Sequence, residues 1–298
     1  IASNLIPRLI ARGDDVTGVD NFFLGKREYV ANGIDFRELD LLDLDRVVAL
    51  VDEVKPRRVW HLAANSDISF GTKYTDFDLK GGTIVTYNVL EGMRRAGTKE
   101  IVFSSSGAVY GEPSVMPTPE DYGPILPISL YAASKVACET LITAFAHNYG
   151  IRAWIYRFGN IVGPNPTHGV IPDFIRRLQE NPRRLVVLGD GTQSKPYVHV
   201  DDCIDGMEFG VANAREPLNV FNLAVDDQTS VREIAEWTVR ELGVDPVIEY
   251  GDGPRGWLGD VAQVRLDTRR LRALGWTPGL SSRDAVRRAI REIVAQLT

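Results

Sequence analysis

The sequence predicts an α/β fold, a doubly wound parallel sheet followed by a smaller C-terminal lobe, and three observations point to it. Strand-like and helix-like segments alternate from the first residues to about Trp154; beyond Gly159 the alternation loosens into Gly- and Pro-rich loops; and 298 residues suffice for one large unit with an appended lobe. Strict alternation argues for parallel strands, because each crossover between them needs a connection long enough to hold a helix.

Taken in order, Ile1 to Arg12 (IASNLIPRLIAR) reads as an amphipathic helix with no initiator Met, signal peptide or strand in front of it, so a strand is expected to precede it. The strand DDVTGVD follows, then a short basic helix near Lys26, the strand IDFREL, the helix LDRVVALVDEVK and the strand RRVWHLAA. A long helical stretch covers Tyr74 to Arg95 and leads into the strand EIVFSSS. After the turn-rich GEPSVMPTPEDYGPILP, a helix is expected over about Ser129 to Tyr149, and then the strand IRAWIYRF. The tail holds the loop GNIVGPNPTHG, a helix near Ile171 to Glu180 and closing helices near Val231 to Leu242 and Ser282 to Leu297. Such a lobe is expected near the carboxyl ends of the parallel strands, where doubly wound sheets bind ligands.

Composition removes several classes of function. Hydrophobic residues make up 44% and charged residues 25%, and no apolar run is long enough to span a bilayer. Net charge is -6, from 40 acidic and 34 basic residues without a basic tail, so a nucleic-acid partner is not expected. Cys138 and Cys203 lie far apart and outside any CxxC pattern, which suggests neither disulfide nor zinc and makes the reducing cytoplasm the expected location. His61, His147, His168 and His199 show no ligand spacing, and no metal is expected.

Chemistry is signalled most clearly by Tyr131-Ala-Ala-Ser-Lys135, since positions i and i+4 of a helix share a face and bring an ammonium near a phenol. A neighbouring Lys and a cationic nicotinamide favour the phenolate, which makes Tyr131 a usable acid/base near neutral pH. Alone, this pattern is more often a half-buried Tyr beside a solvated Lys. Context reverses that weighting: the strand Ile101–Phe103 ends in Ser104-Ser105-Ser106, at the edge of the sheet where catalytic groups sit, and Ser106 can bridge a substrate hydroxyl and Tyr131. Serines after a strand are otherwise turn and cap residues. Asp20, followed by Asn21, ends the first visible strand about 18 residues past the start of the opening helix, where an acidic residue accepts both adenosine-ribose hydroxyls and selects NAD over NADP. An Asp that merely ends a strand is the competing reading.

With SSSGAVYG, LYAASK, YRFGNIVGP, GDGTQSKPYVHVDD and RGWLGD in this order and spacing, the chain resembles an extended short-chain dehydrogenase/reductase. Within these it is similar to the UDP-galactose (UDP-glucose) 4-epimerase group of the NAD-dependent epimerase/dehydratase family, over essentially its whole length. The resemblance implies an NAD-binding Rossmann domain over residues 1–158, with 196–225 returning to it, and a nucleotide-sugar-binding lobe of 159–195 and 226–298. It implies Tyr131 as acid/base, Lys135 on the nicotinamide ribose and lowering the Tyr pKa, and Ser106 as hydroxyl partner. It places Asp20 and Asn21 on the adenosine ribose, Asp40 and Leu41 by the adenine, and Leu62, Ala63, Ala64 and Ser104 along the cofactor. Asn160 is then expected at the sugar diphosphate, with Lys195, Arg255 and Asp260 on the nucleotide half of the substrate. Val264 would border the sugar pocket and leave room for a C2 acetamido group. The first strand and glycine-rich loop of that family would precede Ile1, with Ala2 in place of its third glycine. A homodimer through the Tyr131 helix and the helix ending near Arg95 is implied as well.

Relatives that dehydrate or decarboxylate the sugar resemble one another in placing acidic residues just before the Val-Tyr-Gly that follows this strand, and loss of water across C5 and C6 needs a base for the C5 proton and an acid for the departing hydroxyl. Here Gly107 and Ala108 stand there, and neither moves a proton. The expected reaction is therefore inversion at C4 of a nucleotide sugar through a 4-ketone. A nucleotide-sugar reductase, a 2-epimerase and a non-catalytic NAD-sensing protein are the alternatives.

Overall fold

Parallel pairing runs through the N-terminal half of the chain, as the alternation requires. In the computed structural model, which describes residues 1–65, 68–253 and 264–297, β1 (Thr17–Asp20) pairs with β2 (Asp35–Glu38) from Thr17↔Asp35 to Asp20↔Glu38. β3 (Arg58–His61) pairs in parallel with β4 (Glu100–Ser106), and β5 (Arg152–Phe158) with the later β10 (Leu218–Leu223) completes a four-stranded sheet of order β10-β5-β4-β3. Helices supply the crossovers, α2 (Leu44–Val54) from β2 to β3, α3 (Ile68–Lys73) and α4 (Val85–Ala96) from β3 to β4, and α5 (Leu130–Tyr149) from β4 to β5, while α1 (Ala2–Ala11) comes before β1. The fold is α/β and Rossmann-like, the class the sequence predicts.

Two compact units divide the chain, the first made of Ile1–Gly111, Pro124–Arg157 and Met207–Phe221. Its core joins Val89, Leu90 and Met93 of α4, Ile101 and Phe103 of β4, Cys138 and Ile142 of α5, and Ile151, Ala153 and Ile155 at β5. The helix α5 starts where the Ser129 side chain accepts from the Ala132 N–H (3.2 Å) and stops at Gly150, whose φ of 63° suits a residue without Cβ. The stretch expected as one helix over Tyr74 to Arg95 instead opens with a π turn, Leu79–Ile84, before α4 begins. Gly81 and Gly82 are poor α-helix formers, and a Cβ at Gly82 would lie 2.1 Å from the Ser134 hydroxyl of α5, so the wider turn passes close against that helix. The basic helix expected near Lys26 is a single 3-10 turn, Arg27–Tyr29.

The second unit comprises Glu112–Gly123, Phe158–Gly206 and Asn222–Thr298. It contains β6 (Asn160–Val162) parallel to β9 (Tyr197–His199), β7 (Arg184–Val187) parallel to β12 (Val247–Tyr250), and β8 (Ser194–Lys195) antiparallel to β11 (Thr229–Ser230). Its helices are α6 (Val170–Glu180), α8 (Val231–Leu242), α9 (Arg269–Ala273) and α10 (Ser282–Leu297), while α7 (Val200–Asn213) begins in it and ends in the first unit. Ile171, Phe174, Ile175 and Leu178 recur at helical spacing on α6 and bury against Ile234 and Trp237 of α8 and Val286, Ala289 and Ile290 of α10. A reciprocal cap between Ser230 and Glu233 opens α8.

Apart from the single residue Phe158, the units depart from the domain boundaries drawn from sequence at three segments, 112–123, 196–206 and 222–225. Residues 112–123 cluster with the second unit, because Thr118 exchanges backbone hydrogen bonds with Arg265 and Asp267 (2.8 and 3.0 Å) and Glu120 accepts from the Asn222 N–H (2.9 Å). Residues 196–206 do so as well, since His199 bonds Glu292 (2.8 Å) and Asp201 accepts from Arg288 (2.6 Å), both on α10. Among the described residues no helix is long and apolar enough to cross a membrane, and no cluster of three or more His, Cys, Asp or Glu is placed to hold a metal.

Candidate active site

In the first unit, α5 lies against the carboxyl end of β4, and this contact assembles the candidate proton-transfer set. The Tyr131 hydroxyl is hydrogen-bonded to Ser106, the last residue of β4. One turn further along α5, the Lys135 Nζ donates to the Ser104 carbonyl (2.7 Å) and lies 4.8 Å from the Phe103 ring centroid and 5.7 Å from that of Tyr131. Ser106 also caps the 3-10 turn Gly107–Tyr110 by accepting from the Ala108 N–H (3.2 Å), so the cap and the tyrosine contact coexist on one hydroxyl. Gly107 and Ala108 sit within that turn and carry no acid or base.

Burial sets the protonation states. Desolvation pushes the Tyr131 phenol up to about 12 against the opposing pull of its Ser106 hydrogen bond, with Asp78 and Cys138 adding to the rise. Lys135 is 4% exposed, and burial brings its ammonium down to about 8. The lowering of the Tyr131 pKa expected from Lys135 is thus not expressed in the protein by itself. The ammonium is directed at the Ser104 carbonyl, and desolvation of the phenol prevails.

A polar layer lies behind these residues. The Thr86 hydroxyl donates to the Cys138 thiol (3.1 Å) and so accepts from His61 Nε2 (2.9 Å), which makes His61 a neutral Nε2–H imidazole. Burial first, and then the charge of Lys135, push His61 down to about 3. The Ser134 hydroxyl donates to the Asp78 carbonyl (2.7 Å), and Asn65 donates to the Asp78 carboxylate (2.8 Å). Deeper along α5, Glu139 accepts from Ser105 (2.5 Å) and from Arg157 (2.6 and 3.0 Å), and Arg157 donates in turn to the Tyr110 hydroxyl (2.9 Å). Sequence reasoning gave none of these residues a role at the site: Ser105, Tyr110, Ser134 and Arg157 were met only as members of motifs, and His61 and Cys138 only as residues without metal or disulfide spacing.

Apart from Tyr131 and Lys135 on α5, the candidate cofactor residues of this unit lie at or just beyond carboxyl ends of strands. Asp20 ends β1, and the loop after it curls back so that Asp20 Oδ1 accepts from the Phe22 N–H (2.7 Å) and Asn21 Oδ1 from the Phe23 N–H (3.0 Å). A Cβ at Gly25 would come within 2.8 Å of the Asp20 carboxylate, so only the absence of a side chain there leaves it room. Asp40 and Leu41 follow β2; Asp40 accepts from the Leu42 N–H (2.9 Å), and Asn88 of α4 pins the loop by donating to the Leu41 carbonyl (2.8 Å). Leu62, Ala63 and Ala64 follow β3, and the Ser104 hydroxyl is turned toward the His61 carbonyl (3.5 Å). A carboxylate suited to a diol, small residues past β3 and an ammonium on α5 form a donor set that fits NAD.

In the second unit, Asn160 opens β6 with its N–H on the Pro196 carbonyl (2.9 Å), and half-buried Lys195 pairs with Thr229 across β8 and β11. Val264 is half-buried, and its carbonyl accepts from Gln228 (2.7 Å). Arg255 and Asp260 lie outside the described residues.

Comparison with known proteins bears on this arrangement. The profile of the NAD dependent epimerase/dehydratase family matches residues 1–224. A UDP-glucose 4-epimerase of Mycolicibacterium smegmatis is 31% identical, over 97% of this chain and 94% of that protein. A crystal structure of a UDP-galactose 4-epimerase superposes with a TM-score of 0.90 at 32% identity, covering 99% of this chain and 96% of the other. The UDP-glucose 4-epimerase of Thermus thermophilus in complex with NAD gives 0.86 at 28% identity, covering 97% and 94%.

Proposed function

Because the chain belongs to the NAD-dependent epimerase/dehydratase family, we propose that it is an NAD-dependent 4-epimerase of nucleotide sugars, acting on a UDP-hexose through a 4-keto intermediate. One observation carries the reading: Tyr131 is bonded to Ser106 and stacked one turn above Lys135, while Gly107 and Ala108, the two residues after Ser106, carry no acid or base. That set suffices to move one proton at one carbinol carbon and offers no second group for the elimination of water.

Tyr131 takes the proton of the C4 hydroxyl and returns it after inversion. Ser106 orients that hydroxyl toward the phenol, and Lys135 holds positive charge beneath the ring. When bound, NAD supplies the reversible redox chemistry at C4 and a further positive charge near Tyr131. Asp20 and Asn21 take the adenosine ribose, Asp40 and Leu41 the adenine, and Leu62 to Ala64 with Ser104 line the cofactor. Asn160 is assigned to the diphosphate, Lys195, Arg255 and Asp260 to the nucleotide, and Val264 to the sugar. A homodimer through α4 and α5 is part of the proposal, supported by the exposure of Ile84, Tyr87 and Tyr149 on or beside those helices.

The test is incubation with UDP-glucose, UDP-N-acetylglucosamine and UDP-glucuronate, with products separated by ion exchange. Interconversion of C4 epimers without net NADH change supports the reading. Stoichiometric NADH consumption would replace it with a reductase. Light scattering on a sizing column tests the dimer.

A further inference from the structure

Three side chains at i, i+4 and i+8 of α5 meet three consecutive residues of β4: Tyr131 meets Ser106, Lys135 the Ser104 carbonyl, and Glu139 the Ser105 hydroxyl. The third contact lies outside the proton-transfer set, yet it is the most heavily built. Glu139 is 7% exposed and Arg157 5% exposed. Two Arg157 nitrogens hold the carboxylate, and a third donates to Tyr110. A buried ion pair by itself adds little stability over a well-packed apolar pair of similar volume. What distinguishes this one is a third buried charge, the Lys135 ammonium, one helical turn from Glu139.

We propose that Glu139 and Arg157 are positioning residues for the proton-transfer set: through Ser105 they lock the register of α5 on β4, and the Glu139 carboxylate balances the ammonium of Lys135. This rests on the assignment of Tyr131 and Lys135 made above. Around Lys135 the charged and titratable groups are Tyr131, Cys138 and Glu139 on α5, His61 on β3 and Asp78 ahead of the π turn, with Arg157 on β5 behind Glu139. His61 is neutral, so the carboxylates of Glu139 and Asp78 favour the charged lysine. Removing the Glu139 charge while Arg157 stays leaves two buried cations without the carboxylate that each of them feels, and the lysine then gives up its proton at lower pH.

The decisive comparison is Glu139→Gln, which keeps an acceptor for Ser105 but loses the charge, against the double variant Glu139→Gln/Arg157→Met, which removes both charges. In Glu139→Gln the basic limb of the kcat–pH profile moves down by at least about one pH unit with KM for UDP-glucose within about twofold. In the cofactor-free protein the 13Cε resonance of Lys135 shifts its titration midpoint the same way. The double variant returns both toward the parent. An unmoved limb and resonance in Glu139→Gln, or a double variant no closer to the parent than the single one, overturns the proposal. Should Glu139→Gln fail to fold, Ser105→Ala and Arg157→Lys decide: kcat falling at least about fivefold with the limb in place supports the register role, and kcat within about twofold for both overturns it. Tyr131→Phe separates the two levels, since full turnover in that variant removes the assignment itself, whereas an inactive Tyr131→Phe beside an unmoved Glu139→Gln removes only the positioning pair.

Discussion

The helices α5 and α10 are both long and both bury one face, but those faces differ in kind. Along α5 the buried side chains include Ser134, Lys135 and Glu139 beside Cys138 and Ile142; along α10 they are Ala285, Val286, Ala289, Ile290 and Ile293, with Ser282 at the start. The apolar face follows from the hydrophobic effect alone, which rewards any well-packed aliphatic set. The polar face is explained only by what it positions, because each buried charge needs a partner before it costs nothing. The contrast separates residues that hold the protein together from residues that hold a reaction in place.

Substitutions can break that contrast at either end. The largest effect is expected for Tyr131→Phe, which should lower epimerisation by roughly 10²–10⁴-fold while the melting temperature and NAD affinity stay close to the parent's. Near-normal turnover would end the mechanism. Ile290→Ala, on the apolar face, should do the opposite, costing about 2–5 kcal/mol of stability in a denaturant titration with kcat per folded molecule unchanged. A third test uses pH. His61 is held near 3 when folded and regains its ordinary value near 6.5 when unfolded, so the unfolded chain binds the extra proton between those values. Stability is therefore lost as pH falls from about 6.5 toward 3, on the order of 2 kcal/mol from this residue by pH 5. The urea midpoint of His61→Gln should fall less over that range, and identical slopes would remove His61 as the cause. In the second unit, Val264→Tyr should cost turnover of UDP-N-acetylglucosamine about 1–3 kcal/mol more than turnover of UDP-glucose. Equal losses would leave Val264 as a packing residue. The smallest effect is Ser230→Ala, which removes the α8 cap and should lower stability by about 1 kcal/mol without touching either substrate.

The same contrast explains what could be read from the chain alone. Alternation of strands and helices was legible because it is local, and so was Tyr131 with Lys135, since a spacing of four defines one helix face. The Ser104–Ser106 run could be placed at a strand end for the same reason. Glu139 and Arg157 were not legible, because whether a charged residue is buried depends on which strand the topology brings beside it. The signs were present: Glu139 stands four residues past Lys135 on the same face, and Arg157 interrupts the run Ala153–Phe158, which is otherwise aliphatic and aromatic. His61 and Thr86 meet across 25 residues, and nothing in either segment by itself announces the other. The π turn at Leu79–Ile84 escaped for a related reason, since it reflects the close passage of Gly82 by Ser134.

The chain path through the two units carries a consequence for anyone wishing to recombine this protein with a relative. It passes between them at Gly111/Glu112, Gly123/Pro124, Arg157/Phe158, Gly206/Met207 and Phe221/Asn222. No single splice or protease cut yields either unit whole, and any N- or C-terminal fragment longer than the outermost segment inherits parts of both. A hybrid exchanging the second unit must join sequence at five seams, two of them inside the strands β5 and β10 and one inside α7. Changes of specificity in this chain are therefore reached residue by residue, not by trading modules.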